Sequence, residues 1–386
     1  MKTNRILTLV AVAIALLTSC NNGHERMLTI INEDGTCSRE MTFHPDSFDV
    51  TSPLDTTINV EGMIFHPDWE RTWSIKGDSV RHACPMTKQQ WDSLQNVFHD
   101  KFVGQHIVMY TKQEYQSIND MCKSFNRVCQ DVFKDTMSLE KRFKWFYTDY
   151  VYKETLSIAV INQAFLIPLD RFVSADTASY WFTGEPNLAE GLTGAEQKEM
   201  LDDIESKISH WLTACTMAHA CQIIANEQYD EVKNPPVSKE QFEALRDSIA
   251  MLPAVADMDL LFNTKEQACK ILEDFFHSDA YTPLFKDENV WNYRLEDNNK
   301  YISFLLMMKP TLDYVMPGKV IDAGNGVVED NVVHYKFSGE RLIPHPFDVT
   351  ITSRVINIWA FVVTALIILL AICCMFYRKI AALCKR

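Results

Sequence analysis

Apolar and polar positions along the chain change period several times. MLTIINEDGTCSREMTF, from Met27 to Phe43, predicts a β-hairpin: both arms are rich in strand formers and Asp34-Gly35 supplies the turn. Strand character continues over Thr56 to Phe65 and Arg71 to Ile75, with a further short strand expected over Ser79 to Cys84. The period then lengthens. Thr87-Lys-Gln-Gln90 has the form of a capping box, and Trp91, Leu94, Val97 and Phe98 follow three or four apart on one helical face. Thr111 to Phe133 repeats that spacing through Tyr115, Ile118, Met121, Cys122, Phe125, Val128, Cys129 and Val132, and predicts a second helix. KRFKWFYTDYVYKET, from Lys141 to Thr155, alternates Phe143, Trp145, Tyr147 and Val151 with more polar positions. It is expected as one long strand whose aromatic face enters the core; a helix is the competing reading.

From about Leu169 to Phe285 the pattern is helical. Gly184 ends a first helix, and Thr193-Gly-Ala-Glu196 opens the longest one, reaching about Glu227. Its apolar stripe is Met200, Ile204, Ile208, Trp211, Leu212, Cys215 and Ala218. Lys233-Asn-Pro-Pro236 interrupts it, since a proline pair cannot continue a helix. Ser238 to Gln241 and Thr264 to Gln267 fit two more capping boxes. Strand character returns at about Val290 and runs through Tyr301 to Lys309. Pro317-Gly318, Gly324-Asn-Gly326 and Asp330-Asn331 mark turns between the short runs that follow, and Asp348 to Thr352 leads to the last segment. The expected class is α+β, with a sheet built from N- and C-terminal segments and a large helical insertion. Residues 20–168 are expected to be β-rich with helices at about 87–133, residues 169–285 to be the helical block, and residues 286–354 to complete the sheet.

The two ends of the chain set its expected location. Lys2 and Arg5 precede an apolar run from Ile6 to Leu17, the layout of a secretory signal over residues 1–19. Leu17-Thr18-Ser19-Cys20 resembles the bacterial lipobox, which implies cleavage before Cys20 and lipid attachment to its sulfur. At the other end, Val355 to Tyr377 contains no charge. A helix over those residues is about 34 Å long, enough to cross a bilayer. Trp359 and Tyr377 stand near its ends, and Arg378, Lys379, Lys385 and Arg386 in the tail 378–386 favour a cytoplasmic C-terminus. A helical span argues for the bacterial inner membrane, with the ectodomain in the periplasm. Two anchors in one bilayer imply that both ends of the ectodomain lie beside each other at the membrane face.

Charge and cysteine content narrow the partners. Two basic residues precede Cys20 and four follow Tyr377, so the part between carries 31 basic and 51 acidic residues, a net charge of −20. Such a surface repels nucleic acid and anionic head groups. The anchors, rather than general electrostatics, are expected to hold it at the membrane. The exported part contains Cys37, Cys84, Cys122, Cys129, Cys215, Cys221 and Cys269. Seven is odd, so at least one stays unpaired; buried free thiols are as good a reading as disulfides for the rest.

No motif assigns chemistry. Cys215 and His219 lie four apart on one helix, near His210 and Cys221, but zinc needs a fuller ligand set and a core cysteine beside a histidine explains them. Gly324 to Gly326 with Glu329 and Asp330 lacks the order of a calcium loop and reads as two turns. GEPNLAEGLTG lacks the Lys-Ser/Thr of a phosphate cradle and reads as a helix boundary, with Glu185, Pro186 and Asn187 solvated. Asp202-Asp203, Asp322 and Asp348 fit a solvated acidic face. There is no nucleophile elbow. No catalytic residue, cofactor or metal is expected. Asp34-Gly35-Thr36, Pro317-Gly318-Lys319-Val320 and the order of lipobox, hairpin, late strands and single span resemble LppM-like bacterial envelope lipoproteins. The resemblance implies an α+β ectodomain of non-enzymatic or unknown role, with binding of lipid or an envelope partner as one candidate role. The leading expectation is a non-catalytic envelope lipoprotein binding a partner or apolar ligand. An accessory or sensor subunit of an inner-membrane complex is the alternative, and an enzyme acting on envelope material ranks third.

Overall fold

The computed structural model describes residues 25–45, 47–60, 63–98, 103–129, 132–159, 161–258, 264–286, 305 and 308–383. Strands β1 (Arg26–Ile31) and β2 (Cys37–Phe43) form the first hairpin. Helix α1 (Ser47–Thr51) follows, then β3 (Ile58–Val60), β4 (Met63–Phe65), β5 (Glu70–Ile75), β6 (His82–Ala83) and α2 (Lys88–Phe98). Next come β7 (Ile107–Tyr115), α3 (Ile118–Val128), β8 (Phe133–Phe143) and β9 (Tyr147–Ile158). The helical block holds α4 (Ile161–Ala164), α5 (Ala175–Thr183), α6 (Gly194–Ile223), α7 (Lys239–Ala250), α8 (Pro253–Ala256) and α9 (Thr264–Phe276). The chain closes with β10 (Thr311–Val315), β11 (Lys319–Asp322), β12 (Val327–Glu329), β13 (Val332–Lys336), β14 (Phe347–Ile356) and α10 (Ile358–Leu383).

Eight strands form one sheet in the order β12-β13-β10-β1-β2-β7-β5-β6, and four form a second in the order β11-β14-β9-β8. The first sheet combines N-terminal and C-terminal strands. Its β1 lies parallel to β10, Met27 opposite Leu312, while its other neighbours are antiparallel. Alternation along β2 buries Cys37, Arg39, Met41 and Phe43 together, and along β9 it buries Tyr150, Tyr152, Glu154, Leu156 and Ile158. These two faces meet, with α3 and the β3–β4 hairpin filling the rest of the interface. The class is α+β, with the sheet and helical insertion expected.

The helical block has its own aromatic centre. Trp211 is 1% exposed and stacks on Phe165 at 4.5 Å, with Phe182 at its edge. Helix starts follow the expected local chemistry: Thr193 with Glu196, Ser238 with Gln241 and Thr87 with Gln90 each exchange capping hydrogen bonds. Gly184 takes the left-handed conformation that ends α5 (φ 83°). A π-helical stretch, Ile224–Gln228, continues α6 toward the proline break.

Three expectations change. Thr111 to Phe133 is not one helix: residues up to Tyr115 form β7, and α3 starts after the N-cap Ser117. The step from Tyr115 to Ile118 mimicked a helical interval across a strand–helix boundary. Lys141 to Thr155 is not one strand either; it folds back at residues 144–146 into the β8–β9 hairpin. The apolar segment expected over 355–377 enters its helix only at Ile358, because Val355 and Ile356 pair with Thr148 and Tyr147 at the end of β14.

The start of the described chain and the start of α10 also lie apart. The β1–β2 turn sits near the tip of the β8–β9 hairpin, where Lys141 and Tyr150 donate to the Glu33 carbonyl at 2.8 and 3.0 Å. Glu25 and Met27, at the other end of β1, border the same pocket as Phe133 and Leu156. The described chain therefore begins at the pole away from α10. The strands expected from Val290 to Lys309 fall largely outside the described residues.

Candidate functional site

The expected chemistry-bearing residues do not converge. Leu17, Thr18, Ser19 and Cys20 lie outside the described residues. Cys215 and His219 share a face of α6, but both turn to backbone: Cys215 to the Ile167 carbonyl and His219 Nε2 to the Ala164 oxygen at 3.1 Å. Burial lowers the His219 pKa and pushes the Cys215 and Cys221 thiols up to about 12, so all three are held neutral. His210 packs against Phe172. Among the described residues no group of three His, Cys, Asp or Glu side chains could hold a metal ion, and no cysteine is in a disulfide. Asp203 pairs with Lys207, Asp322 accepts from the Gly324 amide and Asp348 from Thr155, all structural roles. Glu185 and Asn187 are exposed, as expected of a helix boundary, and Glu329 and Asp330 are exposed at a strand turn.

A buried ionic cluster stitches the two sheets together. Arg39, fully buried, reaches Glu154 through Nη2 at 3.0 and 3.1 Å and Asp135 through Nη1 at 3.5 Å. Its Nε donates to Thr29 at 3.1 Å, and its guanidinium lies over the Phe125 ring. Tyr152 and Tyr314 donate to Glu154 at 2.7 and 2.9 Å. Burial, then the neighbouring Glu154 charge, raises the Asp135 pKa well above the carboxylate range. Burial also opposes charge on Glu154. There Arg39 and hydrogen bonds from Asp135, Tyr152 and Tyr314 outweigh it, and the pKa falls. The shifts run in opposite directions: pairing with Arg39 favours the carboxylate on Glu154, and burial beside that charge disfavours it on Asp135. Strand phase carried the signal, since Arg39 alternates with Cys37, Met41 and Phe43.

Beside this cluster, Met27, Met41, Met63, Met308, Phe43 and Phe133 line an apolar pocket of about 40 Å³. An engineered apolar cavity that takes benzene is roughly 150 Å³. The pocket as it stands admits no acyl chain.

The most unusual geometry lies where β14 meets α10. Ile358–Tyr377 is long and apolar enough to cross a membrane and is almost bare of protein contacts. The exception is its first two turns, which receive the tip of the β8–β9 hairpin. Phe143 and Trp145 pack on Trp359 with ring centroids 6.4 and 5.3 Å apart, and Phe146 packs on Phe361 at 4.7 Å. The Trp145 indole N–H donates to Thr364 Oγ1 at 2.8 Å. Ala360, between these residues on the helical wheel, is completely buried, and its small side chain permits close approach. Asn357, the single residue between strand and helix, ties the tip down. Its backbone N–H donates to the Phe146 carbonyl at 2.9 Å, and Nδ2 donates to those of Lys144 and Trp145 at 2.8 and 3.3 Å. Thr148 donates to its Oδ1 at 3.2 Å. No family model, curated protein or solved structure matches the chain.

Proposed function

We propose that the protein is a non-catalytic lipoprotein of the bacterial inner membrane whose periplasmic ectodomain presents a partner-binding surface at a set height and orientation over the bilayer. The observation that carries this reading is the joint between β14 and α10. A flexible tether would need no such joint; here one residue separates strand from helix, and a second hairpin braces it. The small volume of the pocket favours a protein partner over an apolar ligand. Five residue-to-residue steps lead from Cys20 to Glu25, at most about 18 Å of chain. Nine residues of β9 separate the Leu156 level from Tyr147, about 30 Å. That reach is shorter than the separation by about 12 Å, so α10 with its hairpin, rather than a lipid on Cys20, sets the position of the ectodomain. The likeness to LppM-like lipoproteins supports this reading only through its turn and strand residues.

The test uses the full chain extracted from membranes in mild detergent. Metabolic labelling with a palmitate analogue, lost in Cys20→Ala, is expected, together with a reproducible envelope protein at fixed stoichiometry. A monomer with neither label nor partner sinks the reading. The rigid joint also suits an accessory or sensor subunit of a membrane complex, with α10 as a contact. Replacing residues 358–377 by an unrelated span would then dissolve the complex, and an intact complex would reject that version.

A further inference from the structure

The tip of the β8–β9 hairpin carries Phe143, Lys144, Trp145 and Phe146, all exposed, with the three rings 59%, 44% and 41% accessible. Three neighbouring aromatic side chains at a turn are out of place on a water-facing surface. Their position along α10 explains them. Thr364, which holds the Trp145 indole, is six residues beyond Ile358, so the ring reaches about 9 Å along the helix. The 20-residue span Ile358–Tyr377 is itself about 30 Å long, the thickness of a hydrocarbon core. A wedge at that depth matches the roughly 5–10 Å burial of interfacial elements.

The hydrogen bonding of the tip points the same way. A turn in water leaves carbonyls to solvent, whereas one in lipid must satisfy them within the protein. The carbonyls of Lys144, Trp145 and Phe146 all accept from Asn357, the Lys144 amide donates to the Tyr147 carbonyl at 2.8 Å, and the indole N–H is held by Thr364. Lys144 is exposed beside the rings, in an ectodomain whose net charge is −20; Lys141 and Arg142, also exposed, are engaged by the Glu33 carbonyl and Glu140. Basic residues beside aromatic rings match the phosphates and the boundary layer of a lipid surface.

We propose that the Phe143–Phe146 tip is a second membrane contact, a wedge that enters the headgroup–acyl boundary of the bilayer crossed by α10. This rests on the reading of α10 as a span. With the wedge and the span both engaged, the ectodomain cannot swing about Asn357.

The test uses the full chain in vesicles of phosphatidylethanolamine and phosphatidylglycerol. An environment-sensitive fluorescent amino acid replaces Phe146, Phe143 or Leu369, one per protein, by codon reassignment. Lipids doxylated near the headgroup or deep in the chain act as quenchers, with iodide in the water. The probe at 369 is expected to be quenched by the deep lipid. Probes at 146 and 143 are expected to be quenched at least twofold more by the shallow lipid than by the deep one, and to resist iodide. If the 369 probe is lipid-quenched while those at 146 and 143 respond to iodide alone, the wedge is overturned and the span stands. If iodide reaches the 369 probe as well, the span reading fails first. Two tip positions guard against one misfolded variant.

Discussion

The two hairpins that face each other across the sandwich are closed by different physics. The β1–β2 turn is local: Asp34 accepts from the Thr36 amide at 2.9 Å, Gly35 adopts φ 99°, and its amide donates to the Asn32 carbonyl at 3.0 Å. The β8–β9 turn, Lys144-Trp145-Phe146, contains no residue that favours a turn. Contacts from residues more than 200 positions away in the chain hold it, through Asn357 and Thr364. The first hairpin can form from its own sequence; the second needs β14 and α10 in place. Arg39, on the first hairpin, then locks the two together through Asp135 and Glu154 on the second.

The largest effect is expected where the hairpins meet. Arg39→Met leaves Glu154 buried beside an acid with no cation, and should cost about 3–5 kcal/mol in denaturant unfolding of the full chain in detergent. Loss of less than about 1 kcal/mol would mean that the sheets do not depend on this cluster. Asn357→Ala strips the side-chain donor from the Lys144 and Trp145 carbonyls while keeping the backbone bond to Phe146, and should cost about 1–3 kcal/mol. Hydrogen exchange should rise at residues 143–148 and stay unchanged at 32–36. Gly35→Ala should do the reverse, at about 1 kcal/mol, by straining a positive φ. Equal exchange at both turns in either variant would erase the distinction between them.

The smallest change at fixed pH is expected from Asp135→Asn, whose signature is a slope. The raised Asp135 pKa means that the folded chain keeps a proton the unfolded chain releases, so stability falls as pH rises above the ordinary carboxylate range. The depressed Glu154 pKa acts in the opposite sense and costs stability as pH falls through that range. Asp135→Asn should flatten the alkaline-going limb and keep the acid one. An unchanged profile would show that Asp135 is ionised in the fold.

Legibility follows the same division. The Asp34-Gly35 hairpin, the capping boxes at Thr87, Thr193 and Ser238, the Gly184 stop and the return of the C-terminal strands to the N-terminal sheet all rest on local signals or hydrophobic phase, and could be read. The boundary at Ser117 was hidden because an apolar interval of three bridged strand and helix. Arg39, Asp135 and Glu154 were hidden because a charged residue in phase with a buried face looks like an interruption until its partners arrive from other strands. The aromatic tip was taken for core because aromatic alternation is the same for a ring packed inside the protein and a ring exposed at a hairpin tip.

The sequence by itself determined the α+β class, the helical insertion, and an apolar C-terminal helix long enough to cross a membrane. Each depends on periodicity or on residues close together in the chain. Only the tertiary structure decided which end of the sandwich meets that helix, that the described chain starts at the opposite pole, and that a hairpin without turn residues braces the joint. Those features arise from pairings across more than 100 residues, whose partners no local pattern names.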